Sequence, residues 1–167
     1  MTATMELEGF AELDAALAQL SRSAGKGVLR RALKKAGEPL VAMVRAGVPR
    51  DDGDLAESIA ISTKLDKRQR GQHRKMFRSD KASVEMFIGP SYDLGDGGRH
   101  GHLVEFGTKP RINSGIFAGT AHPGTAPQPF MRPAWDSDKT AMLDRLKVDL
   151  WAELQKAIAR AERRAAG

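Results

Sequence analysis

The sequence of 167 residues contains no cysteine. This absence excludes thiol catalysis, zinc fingers and a disulfide framework, and it fits a protein that folds in a reducing cytoplasm. The chain also lacks any apolar run near the roughly 18 residues that a membrane span needs. Its first residues, MTATME, have neither the basic start nor the apolar centre of a signal peptide. We therefore expect no membrane span and no export by that route.

Acidic residues are missing from one segment, and this absence explains the net charge. Residues 67–78 contain no acid and six basic side chains, namely Lys67, Arg68, Arg70, Arg74, Lys75 and Arg78. The whole chain has 27 basic and 21 acidic residues, so the basic residues outside the segment balance the acids. We interpret the net charge of +6 as the property of one loop and not of the whole domain.

The length is that of one domain, which we place at residues 1–167. Alternation over residues 5–8 predicts a short strand, and the following stripe of Phe10, Leu13, Leu17 and Leu20 predicts a helix. Two glycines in residues 21–27 predict a break, since each costs a helix about 1 kcal/mol relative to alanine. A second helix is predicted over residues 28–46, kinked at Pro39, with the stripe Leu29, Leu33, Ala36, Leu40 and Val44.

Two alternating segments, residues 58–65 and 83–89, predict an antiparallel hairpin. Its connection, residues 66–82, is far longer than the usual two to about five residues. We name it the basic arm, since it holds the six cations. Three interpretations remain in order of preference: a solvated tip, a contact with an acidic neighbouring subunit, and a contact with DNA phosphates. The last ranks lowest because Phe77 is the arm's only aromatic residue for base stacking.

The C-terminal region predicts the longest helix. Ser137 can cap a helix that begins at Asp138, and an apolar stripe then continues for about seven turns, through Leu143, Leu146, Leu150, Leu154, Ala157 and Ala161. We expect this helix to pack against the sheet or against another subunit. Together these patterns predict an α+β fold, in which N-terminal helices and a long C-terminal helix pack on a small, mostly antiparallel sheet.

Two motifs flank a long loop at residues 109–128. The first, residues 99–108 (RHGHLVEFGT), ends in Gly107 and Thr108, a pair suited to a change of chain direction. Residues 102–106 fit a short strand and a helical turn equally well. The second, residues 127–135 (PQPFMRPAW), has three prolines and predicts a stiff, extended run that presents Phe130, Met131 and Trp135. We name the two motifs together the clamp.

Two alternatives remain open within the clamp. Glu105 and Arg132 could form a bidentate ion pair across the loop, or they could be independent surface charges. Phe130 is interpreted as a core anchor in preference to a partner anchor.

His100, His102, Glu105 and His122 could in principle supply metal ligands, but histidines among glycines lack the fixed hydrogen-bonded surroundings of such sites. No nucleophile motif or phosphate-binding glycine loop is present in the sequence. We therefore predict no catalytic residue, no metal and no cofactor.

The clamp resembles the tail-completion, or minor tail, proteins at the head-to-tail junction of long-tailed bacteriophages. Members read tyrosine or histidine, two residues, Glu-Phe-Gly-Thr, a variable loop, Pro-Phe, one residue, Arg-Pro-Ala and a C-terminal helix. The matching positions here are His102, Glu105, Phe106, Gly107, Thr108, Pro129, Phe130, Arg132, Pro133 and Ala134. Weaker similarity extends upstream to Val48, Pro49, Gly53, Leu55, Ser58 and Ile59.

This resemblance implies a structural virion protein at the head–tail junction that is assembled in the host cytoplasm. Its implied partners are further copies of itself in a ring, and neighbouring connector, tail-terminator or tail-tube proteins. The implied interface residues are Glu105, Phe106, Gly107, Thr108, Pro129, Phe130, Arg132 and Pro133. A nucleic-acid-binding module that uses residues 67–78 for a weak DNA contact is the alternative, and a metal-dependent enzyme that uses the histidines ranks third.

Overall fold

The structure, a computed structural model, describes residues 22–50, 53–65, 67–73, 84–94 and 97–167. The predicted strand at residues 5–8 and the predicted helix through Leu20 lie outside these ranges. None of the helices within them is both long and apolar enough to cross a membrane. The described elements form an α+β fold that is dominated by two long helices, as the sequence predicts.

The first long helix, α1, spans Arg22–Gly47 and passes through Pro39 without ending. The break predicted at residues 21–27 is therefore wrong over its described part, since Gly25 and Gly27 are both helical. Packing along the helix outweighs the small backbone cost of two glycines. The fully buried stripe lies one position away from the predicted one in its first half, and consists of Val28, Ala32, Ala36, Leu40 and Val44.

The second long helix, α5, spans Met131–Ala165. It begins seven residues before the predicted start, so Ser137 is not its cap but lies inside it, where its hydroxyl donates to the Ala134 carbonyl at 2.9 Å. Pro133 is tolerated because the first-turn N–H groups of a helix have no intrahelical acceptor. The second half of the second motif is thus helical, which corrects the prediction of an extended run.

The two long helices pack antiparallel. Near one end Arg31 pairs with Glu153 at 2.6 Å, and near the other Gly47 approaches the backbone of Phe130. Within the described residues α5 therefore packs mainly on α1, and only its start reaches the sheet on which it was predicted to lie. A contact of α5 with another subunit stays a prediction. Their seam contains one apolar cluster, made of Val28, Ala32, Leu150, Leu154 and Ala157.

A side chain of α5 binds the α1 backbone in the turn before Pro39. A proline removes one helical hydrogen bond and displaces the preceding turn. The guanidinium of Arg145 donates to the carbonyl of Ala36 in that turn at 3.1 and 3.3 Å, and to both carboxylate oxygens of Asp138 at 3.0 and 2.6 Å. Asp138 is buried, and this ion pair raises the pKa of Arg145 above its ordinary value. The contact fixes the register of the helix pair.

A short helix, α2 (Asp54–Ser58), leads into strand β1 (Ile59–Ser62), which pairs antiparallel with β2 (Phe87–Pro90). This confirms the predicted hairpin, with shorter strands and with Ile61 opposite Ile88. The sheet lies on α1 at Gly37, where an added Cβ would come within 2.7 Å of the Ile61 side chain. Helix α3 (Lys67–Gln72) occupies the described part of the basic arm.

Helix α4 spans Gly97–Phe106 and follows a 3₁₀ turn at Tyr92–Leu94. Beyond it, the loop predicted at residues 109–128 contains a small hairpin, formed by β3 (Arg111–Ile112) and β4 (Ala121–His122) around a 3₁₀ turn at Gly115–Phe117. The second apolar cluster lies where α1, β1 and the start of α5 meet, and includes Leu40, Val44, Val48, Ile59 and Phe130.

Candidate assembly surface around the clamp

The first motif is helical. It forms most of α4, which decides between the strand and the helical turn left open by its spacing. The helix lies close against the end of β2, because a Cβ added at Gly101 would come within 2.5 Å of the Pro90 ring. Glycine at this position lets α4 approach the sheet closely. The last turn of α4 then lies next to the start of α5.

Glu105 joins the two motifs. Its carboxylate accepts hydrogen bonds from the backbone N–H groups of Phe130 at 2.7 Å, Met131 at 2.9 Å and Arg132 at 3.1 Å. These amides lie at the N-terminus of α5, where helical N–H groups lack intrahelical partners. Phe130, the residue at the cap position, has no side-chain oxygen to serve them. Glu105 therefore caps α5 from a distant part of the chain.

The environment of Glu105 favours its charged form. Burial of the carboxyl group by itself would raise the pKa, but the three backbone hydrogen bonds together with the nearby Arg132 charge outweigh burial and lower the pKa below its ordinary value. A buried anion at a helix N-terminus is compensated by the amides and by the helix dipole.

Neither of the two alternatives predicted for Glu105 and Arg132 is correct. The motifs are locked together across the loop, but through backbone amides and not through the Arg132 guanidinium. Arg132 itself is exposed, as are Pro129 and Pro133. Phe130 is 2% exposed, which confirms its interpretation as a core anchor.

Gly107 and Thr108 form the base of the hairpin. Gly107 has a φ of 68°, and a Cβ at this position would lie 2.5 Å from the Thr125 carbonyl oxygen. The backbones of Thr108 and Thr125 exchange two hydrogen bonds, of 2.9 and 3.1 Å. The N–H of Gln128 also donates to the carbonyl of Val104 at 2.8 Å. The predicted change of chain direction is thus present, and it gives the hairpin a fixed base.

The tip of the hairpin is ordered and apolar. The Asn113 side chain donates to the Thr120 hydroxyl, which in turn donates to the Phe117 carbonyl at 2.7 Å. On this frame Ile116 is 97% exposed and Phe117 is 66% exposed. The predicted site residues do not include this pair, although an Ile-Phe dipeptide within a glycine-rich loop is a signal that could have identified it.

An apolar groove of about 640 Å³ opens beside the capped helix end. Its walls come from α1, β2, α4 and α5, and include Leu40, Met86, Ile88, Phe106, Met131 and Trp135. Phe106 and Trp135 line the groove and are also 69% and 47% exposed. Of the aromatic residues of the clamp, Phe130 is therefore buried, whereas Phe106 and Trp135 are open to a partner.

The histidines do not converge. His100 and His102 are exposed on α4, and the His122 Nδ1 accepts a hydrogen bond from the Gly124 N–H at 2.9 Å. Among the described residues no group of three or more histidine or acidic side chains could hold a metal ion. Both oxygens of Glu105 are already bound to amides.

The described part of the basic arm contains three of its six cations, Lys67, Arg68 and Arg70. Lys67 and Arg70 are exposed on α3, whereas Arg74, Lys75 and Arg78 lie outside the described residues. Beyond α3, the His73 Nε2 lies 3.3 Å from a carboxylate oxygen of Glu85.

A comparison with family models gives a match over most of the first two thirds of the chain. The family described as "Bacteriophage HK97-gp10, putative tail-component" matches residues 11–107, more than half of the chain. The match includes the first motif as far as Gly107 and ends before the second motif. Searches of curated proteins and of solved structures gave no significant match. The chain therefore belongs to the HK97 gp10-like family of bacteriophage tail components, and its role is structural.

Proposed function

We propose that this tail component acts at the head–tail junction, as one subunit of a ring that completes the tail or joins it to the head. Its partners are further copies of itself and neighbouring connector, tail-terminator or tail-tube proteins. The chain performs this role by contact alone, without a chemical step. Clamp residues Glu105, Phe106, Gly107, Thr108, Pro129, Phe130, Arg132 and Pro133 shape and position the contact surface.

The observation that carries this proposal is the apolar tip of the hairpin. Ile116 and Phe117 are exposed on a frame that is ordered by internal hydrogen bonds and fixed at its base by the Thr108–Thr125 pair. Such a tip costs solubility in a free subunit, and it gains apolar burial when a neighbour covers it. The apolar tip of the hairpin and the open apolar groove lie on the same chain. Two such surfaces on one chain also suit the head-to-tail contacts that close a ring.

Complementation tests the step at which the protein acts. A phage genome with a stop codon in this gene should still produce DNA-filled heads and separate tails or tail tubes, but few joined particles. Addition of the purified protein to such an extract should restore infectivity. Normal particles without the protein, or heads that fail to assemble or fill, would place its action elsewhere.

The tip is tested in the same assay. The double variant Ile116→Ser/Phe117→Ser should melt like the wild-type protein, since both side chains are exposed, but should not restore infectivity. Ser114→Ala, an exposed change in the same hairpin, is the matched control and should restore it. Full complementation by the double variant would show that the hairpin tip is not part of the interface.

A further inference from the structure

The antiparallel packing of α1 and α5 places basic residues from distant parts of the sequence at the same end of the helix pair. Arg31 pairs with Glu153 and Lys35 pairs with Asp149, so the N-terminal part of α1 lies beside the C-terminal half of α5. Residues 24–35 and 149–164 contain nine basic and three acidic residues, a net charge of +6. Basic and acidic residues balance over the chain outside the basic arm. This end of the helix pair is nevertheless strongly basic.

The acids at this end are mostly engaged within the seam. Glu153 accepts from Arg31 at 2.6 Å and from Lys156 at 3.1 Å, and these hydrogen bonds lower its pKa below the ordinary value. Asp149 pairs with Lys35. Six cations remain that form no ion pair with another described residue, and we name them the basic end: Lys26, Arg30, Lys34, Arg160, Arg163 and Arg164.

The spacing of the α1 cations forms a stripe. Lys26, Arg30 and Lys34 follow at intervals of four residues, which places them on one helical face. With a rise of about 1.5 Å per residue the stripe is about 12 Å long. This length corresponds to between three and four base pairs of duplex DNA, at about 3.4 Å per step.

The basic end also differs from the clamp and the hairpin because few large hydrophobic side chains are exposed near it. Within residues 24–35 and 149–164, Trp151 is the one exposed large hydrophobic side chain, at 46%, whereas the clamp and the hairpin each expose several. Protein interfaces contain apolar and aromatic side chains at their centres. Surfaces that bind phosphates instead use lysine and arginine, together with polar side chains and backbone N–H groups.

From these observations we infer that the basic end binds the phosphate backbone of double-stranded DNA without sequence preference. This inference goes beyond the proposed function and requires neither a ring nor a position at the junction. It also assigns DNA contact to a surface other than the basic arm. The face that carries the hairpin and the groove is then left for protein partners.

The test is a titration of a labelled 30-base-pair duplex with the full-length protein at several salt concentrations. The logarithm of the binding constant should fall linearly with the logarithm of salt, with a slope of about 0.9 per phosphate neutralised. The variant Lys26→Gln/Arg30→Gln/Lys34→Gln should weaken binding and reduce this slope by about 2.7. Two duplexes of unrelated sequence should give the same constants.

The matched control removes three positive charges elsewhere. Lys109→Gln/Lys139→Gln/Lys147→Gln changes exposed lysines outside the basic end and has the same net charge as the test variant. It should retain most of the wild-type slope. If the two variants lose DNA binding equally, the loss depends on net charge alone, and the inference is overturned. Circular dichroism melts of both variants establish that the fold is intact.

Three further results would overturn the inference. If deletion of residues 67–78 abolishes DNA binding while the α1 variant binds normally, the arm is the site. If the α1 variant binds DNA normally but loses salt-sensitive self-association in sedimentation, the basic end contacts an acidic protein surface. An absence of wild-type binding at low salt would also exclude the proposed DNA contact. None of these outcomes bears on the complementation assay, so the two proposals fail independently.

Discussion

The carboxylate of Glu105 accepts a hydrogen bond from the backbone N–H of Phe130, 25 residues further along the chain, at 2.7 Å. This bond connects the last turn of α4 to the first turn of α5, and it closes the base of the hairpin between them. One acidic side chain thus positions the hairpin, the start of the longest helix and the rim of the apolar groove.

Removal of this cap should destabilise the fold. Glu105→Ala leaves three N–H groups at the start of α5 without their acceptor, and we expect a loss of about 1–3 kcal/mol in the free energy of unfolding. Urea denaturation at pH 7 measures it. Glu57→Ala, an exposed glutamate in the short helix α2, is the control and should change stability by less than about 0.5 kcal/mol. Equal stability of the two variants would contradict the capping role.

The contribution of Glu105 should depend on pH. Its pKa is lower in the folded state than in the unfolded state, so the folded state favours the deprotonated form. The stabilisation is then fully present above the unfolded value of about 4.3, and it is lost as the pH falls through the lower folded value. The stability difference between the wild-type protein and Glu105→Gln should therefore shrink from pH 7 to pH 3. A difference that stays constant over this range would show that the carboxylate charge is irrelevant.

Phe130 should be essential for folding stability. Its side chain is 2% exposed in the cluster formed by α1, β1 and α5, so Phe130→Ala should cost about 3–5 kcal/mol. Thermal melts provide the measurement. Phe106→Ala is a useful comparison, since Phe106 is mostly exposed and its loss should hardly change the melting temperature. A melt of Phe130→Ala within a degree or two of the wild-type value would exclude a core role.

Two helical glycines should respond oppositely to alanine. In α1, Gly25 has open space where a Cβ would be added, and Gly25→Ala should stabilise the protein by up to about 1 kcal/mol. In α4, the Cβ of Gly101→Ala would lie 2.5 Å from the Pro90 ring, so this variant should be destabilised despite its better helix propensity. Chemical denaturation of both variants is sufficient. Stabilisation by Gly101→Ala would mean that α4 is free to move away from the sheet.

The buried ion pair of α5 should matter more than an exposed one. Arg145→Ala leaves the Asp138 carboxylate buried without its partner and should cost about 1–3 kcal/mol. Lys139→Ala removes an exposed pair with Asp136 and should change stability by less than about 0.5 kcal/mol. Equal effects in urea denaturation would indicate that Asp138 reaches solvent in the variant.

Local patterns in the sequence were sufficient for several parts of this protein. The hairpin of β1 and β2, the passage of one helix through Pro39 and the part of the α5 stripe from Leu146 to Ala157 follow from short-range periodicity, which can be recognised in one dimension. The end of the predicted stripe is wrong, since Ala161 is exposed. The two motifs of the clamp were also recognisable, because their glycines, prolines and aromatic residues have strong local requirements. The family match to residues 11–107 supports the interpretation as a phage tail component.

Only the tertiary structure decided which groups meet. The partners of Glu105 are backbone amides, which every residue except proline carries, so no sequence pattern could distinguish them from the Arg132 guanidinium. Packing against α5 likewise outweighs the local preference of Gly25 and Gly27 and lets α1 continue through them. The basic end arises because antiparallel packing places Lys26 and Arg160 at the same end of the helix pair. Each of these features depends on contacts between residues far apart in the chain, and such contacts are decided by the burial of apolar surface over the whole fold.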